Sequence, residues 1–165
     1  RMLDGYGLGT HRIQFIGRNH PLYEQEVDLR QRVLLDPIGF DMEKLEAEFP
    51  GAEDRFEHFV CVIDHPKGKR VIGCVCLLPD YPKPGVGKLM QMAVDPQRQR
   101  EGIGRELVVE VERRAFGELG LKELFCHSRE DARGFYAQLG WQVDGPQFNE
   151  AGIPHYLMRF RPDQA

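Results

Sequence analysis

The sequence predicts one mixed α/β domain, and three observations carry that reading. At 165 residues the chain is long enough for a single substantial core. Its middle is dominated by short β-type runs. Its last third then alternates strand, helix, strand, helix and strand, the order expected when helices pack on a sheet.

Taken in order, His11 to Gly17 alternates as a strand. Leu22, Val27, Val33 and Leu34 stand among charged residues in a helical pattern that Pro37 and Gly39 stop. Met42 to Phe49 reads as a short second helix. Phe59 to Ile63 and Val71 to Leu78 read as strands, joined by the turn chemistry of Pro66-Lys67-Gly68-Lys69. Pro79 to Gly87 is a Pro- and Gly-rich loop, and Lys88 to Val94 is another strand, closed by Asp95-Pro96. Ile103, Leu107, Val111 and Ala115 then recur every four residues, the signature of an amphipathic helix that Gly117 and Gly120 end. Leu124 to Cys126 is a strand and Asp131 to Leu139 a helix closed by Gly140. Two late strands follow, around Trp141 to Val143 and Tyr156 to Phe160. No repeat, low-complexity tract or long linker divides residues 1–165, so one domain is expected.

Composition narrows the function classes. The net charge is −4, which argues against a general nucleic-acid binder because nothing offsets phosphate repulsion. No apolar run approaches the ~20 residues of a membrane span. The N-terminus lacks an apolar block after a basic start, so no secretory leader is expected. The four cysteines form no Cys-x-x-Cys pair and sit in apolar strand segments, Cys74 and Cys76 on one face. They read as small buried hydrophobes in preference to metal or redox groups. Reduced thiols fit a cytoplasmic protein.

The chemistry concentrates between Lys88 and Arg105. A strand ends at Val94, a loop crosses Pro96, and Gly102 and Gly104 open the long helix. Free backbone N–H groups and the positive end of the helix dipole make such a junction an anion site, and glycine lets a backbone approach a bulky pyrophosphate. Arg98, Arg100 and Arg105 against Glu101 leave a local excess of two positive charges. Arg105-Glu106 stands where a P-loop needs Lys-Ser/Thr, and the glycine pair lies too far along the chain for a dinucleotide fold. Alone, the two glycines read equally well as relief of crowding at a helix start.

The spacing Gln99-x-x-Gly102-x-Gly104, after Met92-Ala93-Val94-Asp95-Pro96, resembles the coenzyme A signature of the GNAT family of N-acetyltransferases. Ala132 to Trp141, with Phe135-Tyr136 and Leu139-Gly140-Trp141, resembles the family's second signature, one helix and one strand further on. Both signatures lie within residues 86–145. Phe148-x-Glu150-x-Gly152-Ile153-Pro154-His155-x-x-Met158 further resembles the ElaA-like branch.

The resemblance implies a mostly antiparallel central sheet, splayed at the cofactor site and flanked by about four helices. It implies transfer of an acetyl group from acetyl-CoA to the amine of a small molecule or peptide, by direct attack on the thioester. Met92 and Val94 would pair with the pantetheine arm, and the amides of Gln99, Arg100, Glu101, Gly102, Ile103 and Gly104 would cradle the pyrophosphate. Tyr136 would protonate the leaving thiolate, though a lone aromatic on an amphipathic helix reads as core. Arg129 stands where many relatives place an Asn, seven residues before the Tyr, and the Lys88–Val94 strand lacks the glutamate base of some relatives. His155 is the leading base candidate and His127 the second, since imidazole titrates near neutrality. Taken alone, each histidine reads as a solvated surface group. A coenzyme A-binding sensor without turnover is the alternative, and a ligand-free adaptor a third reading that must treat both signatures as chance. No nucleic acid, membrane or metal partner is expected, and a homodimer is compatible with the reading.

Overall fold

The computed structural model describes residues 11–164; the start of the chain, read above for a leader, lies outside them. Eight strands among these residues hydrogen-bond in the order β1-β2-β3-β4-β5-β8-β6, with β7 on β8. The strands are β1 (Arg12–Ile16), β2 (Glu57–His65), β3 (Gly68–Leu78), β4 (Val86–Val94), β5 (Glu123–Arg129), β6 (Gln142–Val143), β7 (Phe148–Glu150) and β8 (Ile153–Phe160). The α-helices are α1 (Tyr23–Arg30), α2 (Met42–Glu48), α3 (Ala52–Arg55), α4 (Ile103–Glu112) and α5 (Arg133–Gln138). The expected mixed α/β architecture is present, with five α-helices where about four were anticipated. The four-residue α3 and three-residue β7 are too short to show a periodicity. No helix of the described residues is long and apolar enough to cross a membrane.

The backbone groups into two compact units. Of the described residues, the first holds those up to Cys76 together with Gln91–Val111, and the second holds Leu77–Met90 and those from Glu112 onward.

In the first unit β1 pairs antiparallel with β2, Arg12 opposite Val62 and Ile16 opposite His58. Ile16, Leu29, Val60, Val62, Val71, Cys74 and Ala93 form its apolar core. Asp41 caps α2 by accepting the amide of Lys44 at 2.8 Å. α4 buries Ile103, Leu107, Val108 and Val111, as the four-residue spacing requires. It seats closely because β3 carries Gly73: a Cβ there would lie 2.8 Å from Ile103 Cγ2 and 3.3 Å from Leu107 Cδ1.

In the second unit the first half of β4 runs parallel to β5, Val86 opposite Glu123 and Leu89 opposite Cys126, where that pairing ends. β5 pairs antiparallel with β8, placing Cys126 opposite Met158 and Arg129 opposite His155. α5 is followed by Gly140 in the left-handed region at φ 92, with its amide on the Ala137 carbonyl at 3.0 Å. Trp141 is then buried and donates Nε1–H to Glu112 at 2.9 Å.

Candidate functional site

The first element of the site is the β4–α4 junction, which lies in the first unit. Past the last β4–β5 pair, Gln91 takes φ 56, a left-handed conformation unusual inside a strand for a residue with a Cβ. Its carbonyl accepts from Cys74 Sγ at 3.6 Å and its side-chain oxygen from Arg30 Nε at 3.2 Å. Bulge-like irregularities of this kind re-aim the residues that follow. Met92 and Val94 are half-buried on either side of buried Ala93.

The strand then turns sharply. The Asp95 carboxylate accepts the amide of Gln97 at 2.9 Å, Arg98 N–H bonds the Asp95 carbonyl at 2.8 Å, and Gln99 Nε2 reaches back to the Val94 carbonyl at 3.1 Å. Arg100 at φ 68 and Gly102 at φ 82 both adopt left-handed backbone, so the turn is contorted twice within three residues. The first helical bond of α4 runs from Glu106 N–H to the Gly102 carbonyl at 3.0 Å. The amides of Ile103, Gly104 and Arg105 therefore stand as the unpaired donors of a helix N-terminus. A Cβ on Gly102 would meet nothing within 4 Å, so the space beside the turn is open. Arg98 lies 3.9 Å from Glu101, while Arg100 is exposed. The seven turn and strand residues singled out from sequence, together with Ile103 buried against the sheet, thus fall on one strand–turn–helix segment. Its donors are main-chain groups, backed by arginine charge.

The second element lies in the second unit, around β5, α5 and β8. Tyr136 is buried, 5.0 Å from the Phe135 ring and 5.3 Å from Trp141. Burial, then the neighbouring Cys126, raises its phenol far above the ordinary range, and its hydroxyl is hydrogen-bonded to Cys126. Cys126 itself is pushed up to about 12 by burial, partly offset by the Tyr136 bond. The phenol is thus held protonated, as an acid must be, and at the same time packed like a core residue.

His155, the first base candidate, is buried with Nδ1 donating to the Ile153 carbonyl at 2.8 Å. Its Nε2 lies 3.8 Å from Glu150 Oε2 and its ring stacks on Phe148 at 5.9 Å. It is therefore no solvated surface group. His127 is more accessible, with a quarter of its side chain exposed, and its Nδ1 lies 2.8 Å from Glu150 Oε1. With the carboxylate as acceptor, Nδ1 carries the proton and Nε2 the lone pair, the orientation a general base needs. The His127 bond, outweighing burial, holds the Glu150 carboxyl below its ordinary value. Buried Lys88 adds positive charge nearby, its Nζ 5.9 Å from both the Tyr81 and Phe125 ring centres, and burial lowers its pKa.

Sequence reasoning quoted Glu150 inside a signature without giving it a role, and it missed the pairing with His127 because 23 residues separate the two. It also missed Gly73, although a glycine inside the apolar run Val71 to Leu78 signals a close backbone approach.

Known proteins identify the family. The profile of the acetyltransferase (GNAT) family matches residues 23–141. An amino-acid acetyltransferase of Ralstonia nicotianae is 46% identical over 92 residues, which are 56% of this chain and 19% of that protein. The uncharacterized protein YyaT of Bacillus subtilis is 33% identical over 84 residues, 51% of this chain and 45% of that protein. The chain thus spans about half or less of the length of these curated relatives. Among solved structures, Escherichia coli ElaA superposes with a TM-score of 0.73 at 14% identity, over 90% of this chain and 98% of that one. An aminoglycoside 6'-N-acetyltransferase complexed with coenzyme A does so with a TM-score of 0.72 at 17% identity, over 91% and 96%. At these identities the two structures testify to the fold. The matched profile covers well over half of the residues and contains the β4–α4 junction and Tyr136, so this chain belongs to the acetyltransferase (GNAT) family.

Proposed function

We propose that this protein transfers an acetyl group from acetyl-CoA to the amine of a small molecule or peptide by direct attack on the thioester. The observation that carries the reading is the β4–α4 turn. Three unpaired helix amides stand beside open space, behind backbone contorted at Arg100 and Gly102. Such a cradle fits a pyrophosphate, because its donors are fixed before the ligand arrives and the helix dipole favours the anion. Arg98 and Arg100 would add electrostatic attraction, and main-chain groups of Met92 and Val94 would hold the pantetheine arm.

For the chemistry, Tyr136 is assigned as the acid. Its raised pKa keeps the phenol protonated, so that it can donate its O–H to the departing thiolate and stabilise the charge that develops on sulfur. Of the two histidines, His127 is the better base. Glu150 fixes its tautomer and stabilises the imidazolium that forms when it takes the proton of the attacking amine. His155, tied to the Ile153 carbonyl and stacked on Phe148, supports the same carboxylate from its buried side. The Ralstonia relative bears the name of an enzyme acting on amino acids. Amino acids therefore belong among the candidate acceptors.

The test is release of free thiol from acetyl-CoA against a panel of amines that includes amino acids, polyamines, aminoglycosides and peptide N-termini. Turnover with at least one amine is expected. Tight cofactor binding with no thiol release across the panel would overturn the enzyme reading and leave a coenzyme A sensor.

A further inference from the structure

The first unit seals a second group of chemically able side chains that acetyl transfer does not use. Glu26 of α1, His58 of β2 and Cys76 of β3 are buried, at 0%, 1% and 0% exposure. Their ligand atoms all lie within 4.8 Å of one another. Glu26 Oε2 is 2.8 Å from His58 Nδ1 and 3.6 Å from Cys76 Sγ, and Sγ is 3.5 Å from Nδ1. His58 Nε2 faces the Glu53 carbonyl at 3.0 Å, which places a proton there and presents Nδ1 to the other two groups. This is the arrangement by which a backbone carbonyl orients a metal-binding imidazole. Glu26 Oε1 supplies the independent observation: it is fully buried with no hydrogen-bond partner, the one such side-chain atom among the described residues. An orphaned buried acceptor costs on the order of 1–3 kcal/mol.

We propose that Glu26, His58 and Cys76 form a closed binding site for a zinc ion. A tetrahedral zinc with bonds of about 2.0 to 2.3 Å sets ligand–ligand edges of about 3.3 to 3.6 Å. Two of the three edges here are already of that length, at 3.5 and 3.6 Å, and the 2.8 Å hydrogen bond opens when the metal replaces its proton. Oε1 of Glu26, too close to Oε2 to be a separate tetrahedral corner, closes onto the ion as the second oxygen of a bidentate carboxylate and makes the four-coordinate site a distorted one. One sulfur, one nitrogen and a carboxylate suit zinc rather than magnesium or calcium, which prefer all-oxygen sites.

The charges close as well. Arg30 is buried beside the site, bonded to Glu53 at 2.6 and 2.9 Å and to Glu26 Oε2 at 3.0 Å. Without metal, Arg30 and a doubly protonated His58 balance Glu26 and Glu53, leaving a neutral thiol and the orphaned oxygen. Zinc displaces one proton from His58 and one from Cys76 and leaves both as ligands. Its two charges and that of Arg30 then balance Glu26, Glu53 and the thiolate. The interior stays neutral in both states, so exchange of two protons for one divalent ion leaves no buried charge uncompensated. With no exposed ligand, the ion enters as the chain folds, ties α1, β2 and β3 together, and has no open position for catalysis.

The experiment is refolding of the full chain from guanidinium, with either a chelator or one equivalent of cobalt(II) or zinc(II). Cobalt should give a thiolate-to-metal charge-transfer band and about one ion per chain after gel filtration. The band should vanish in Cys76→Ala and persist in Cys61→Ala. Zinc should raise the unfolding midpoint by about 5 °C or more over the chelated protein. Should Cys76→Ala fail to refold, Cys76→Ser, which likewise removes the sulfur, must lose the band. Wild-type chain that regains its circular dichroism with fewer than about 0.1 ions per chain and no band overturns the proposal, and so does a band that survives Cys76→Ala. These readouts stand apart from acetyl transfer, so the proposed function can fail without them.

Discussion

The two units treat ionisable side chains in opposite ways. In the first, Glu26, Arg30, Glu53 and His58 are sealed from solvent and paired charge for charge, and Glu26 Oε1 is the one buried side-chain atom among the described residues left without a partner. In the second, His127 and Glu150 keep about a quarter to a half of their side chains exposed, and their hydrogen bond sets a tautomer. A sealed network resists the loss of a single proton, because that change alone leaves a charge uncompensated in a low dielectric. A half-exposed dyad exchanges protons readily. The same residue types therefore give stability in one place and, in the function proposed here, acid–base chemistry in the other.

The largest expected effect belongs to the second unit. Tyr136→Phe keeps the ring packing on Phe135 and Trp141 and removes only the phenol oxygen. Turnover should fall on the order of 10²- to 10⁴-fold with coenzyme affinity unchanged. Wild-type kcat in that variant would return Tyr136 to the core. Next, Arg30→Met leaves Glu26 and Glu53 buried without their partner, and chemical denaturation should show a loss of about 3–5 kcal/mol. Its loss should appear in stability first; unchanged stability would mean that the sealed network carries no weight. His127→Gln sharpens the contrast from the other side: kcat should drop on the order of 10²-fold, with a denaturation midpoint close to wild type. Glu150→Gln should follow it in rate, because the imidazole loses the carboxylate that fixes its tautomer. A smaller effect, about 1–3 kcal/mol, is expected for Gly73→Ala, whose Cβ would press on Ile103 Cγ2 at 2.8 Å.

The pH dependence follows from Glu53. Burial alone would raise its carboxyl, but the bonds from Arg30 and Tyr23 prevail and its pKa lies below the ordinary 4.5. A depressed carboxyl contributes stability that is present above about 4.5 and lost as pH falls through the folded value. The thermal midpoint should decline in that acid window, and Glu53→Gln, less stable at neutral pH, should flatten the decline.

The parts of this molecule that could be read from sequence are those fixed by local spacing. Ile103, Leu107 and Val111 predict the buried stripe of α4, which buried Ala115 continues just beyond its end, because helix geometry alone brings them together. Gly140 and Trp141 mark the end of α5 for the same reason. The strand–turn–helix junction was legible through Gly102 and Gly104, although the left-handed backbone of Arg100 was not, since arginine gives no sign of it. The Arg30 network was invisible: Glu53 is 23 residues from Arg30, and His58 is 32 from Glu26. Such pairings depend on which strands lie side by side. The cysteines read as simple packing because alternation reports only the face on which a side chain lies. It does not report that Cys76 meets a histidine and a carboxylate there. The proposal prefers His127 to the expected His155 as base for a similar reason, as only the three-dimensional structure shows the direct bond of His127 to Glu150 and its greater exposure.

The central claim is that main-chain groups of the Gln99–Gly104 turn hold the cofactor, and calorimetric titration of acetyl-CoA into Gly104→Val tests it most directly. The branched side chain would stand among the helix amides that should close on the pyrophosphate. Affinity should fall by about 100-fold or more while circular dichroism stays native, and by more than in Arg98→Ala or Arg100→Ala. Affinity within about twofold of wild type in the folded Gly104→Val protein would contradict the claim, because a backbone cradle cannot tolerate a side chain where its ligand sits.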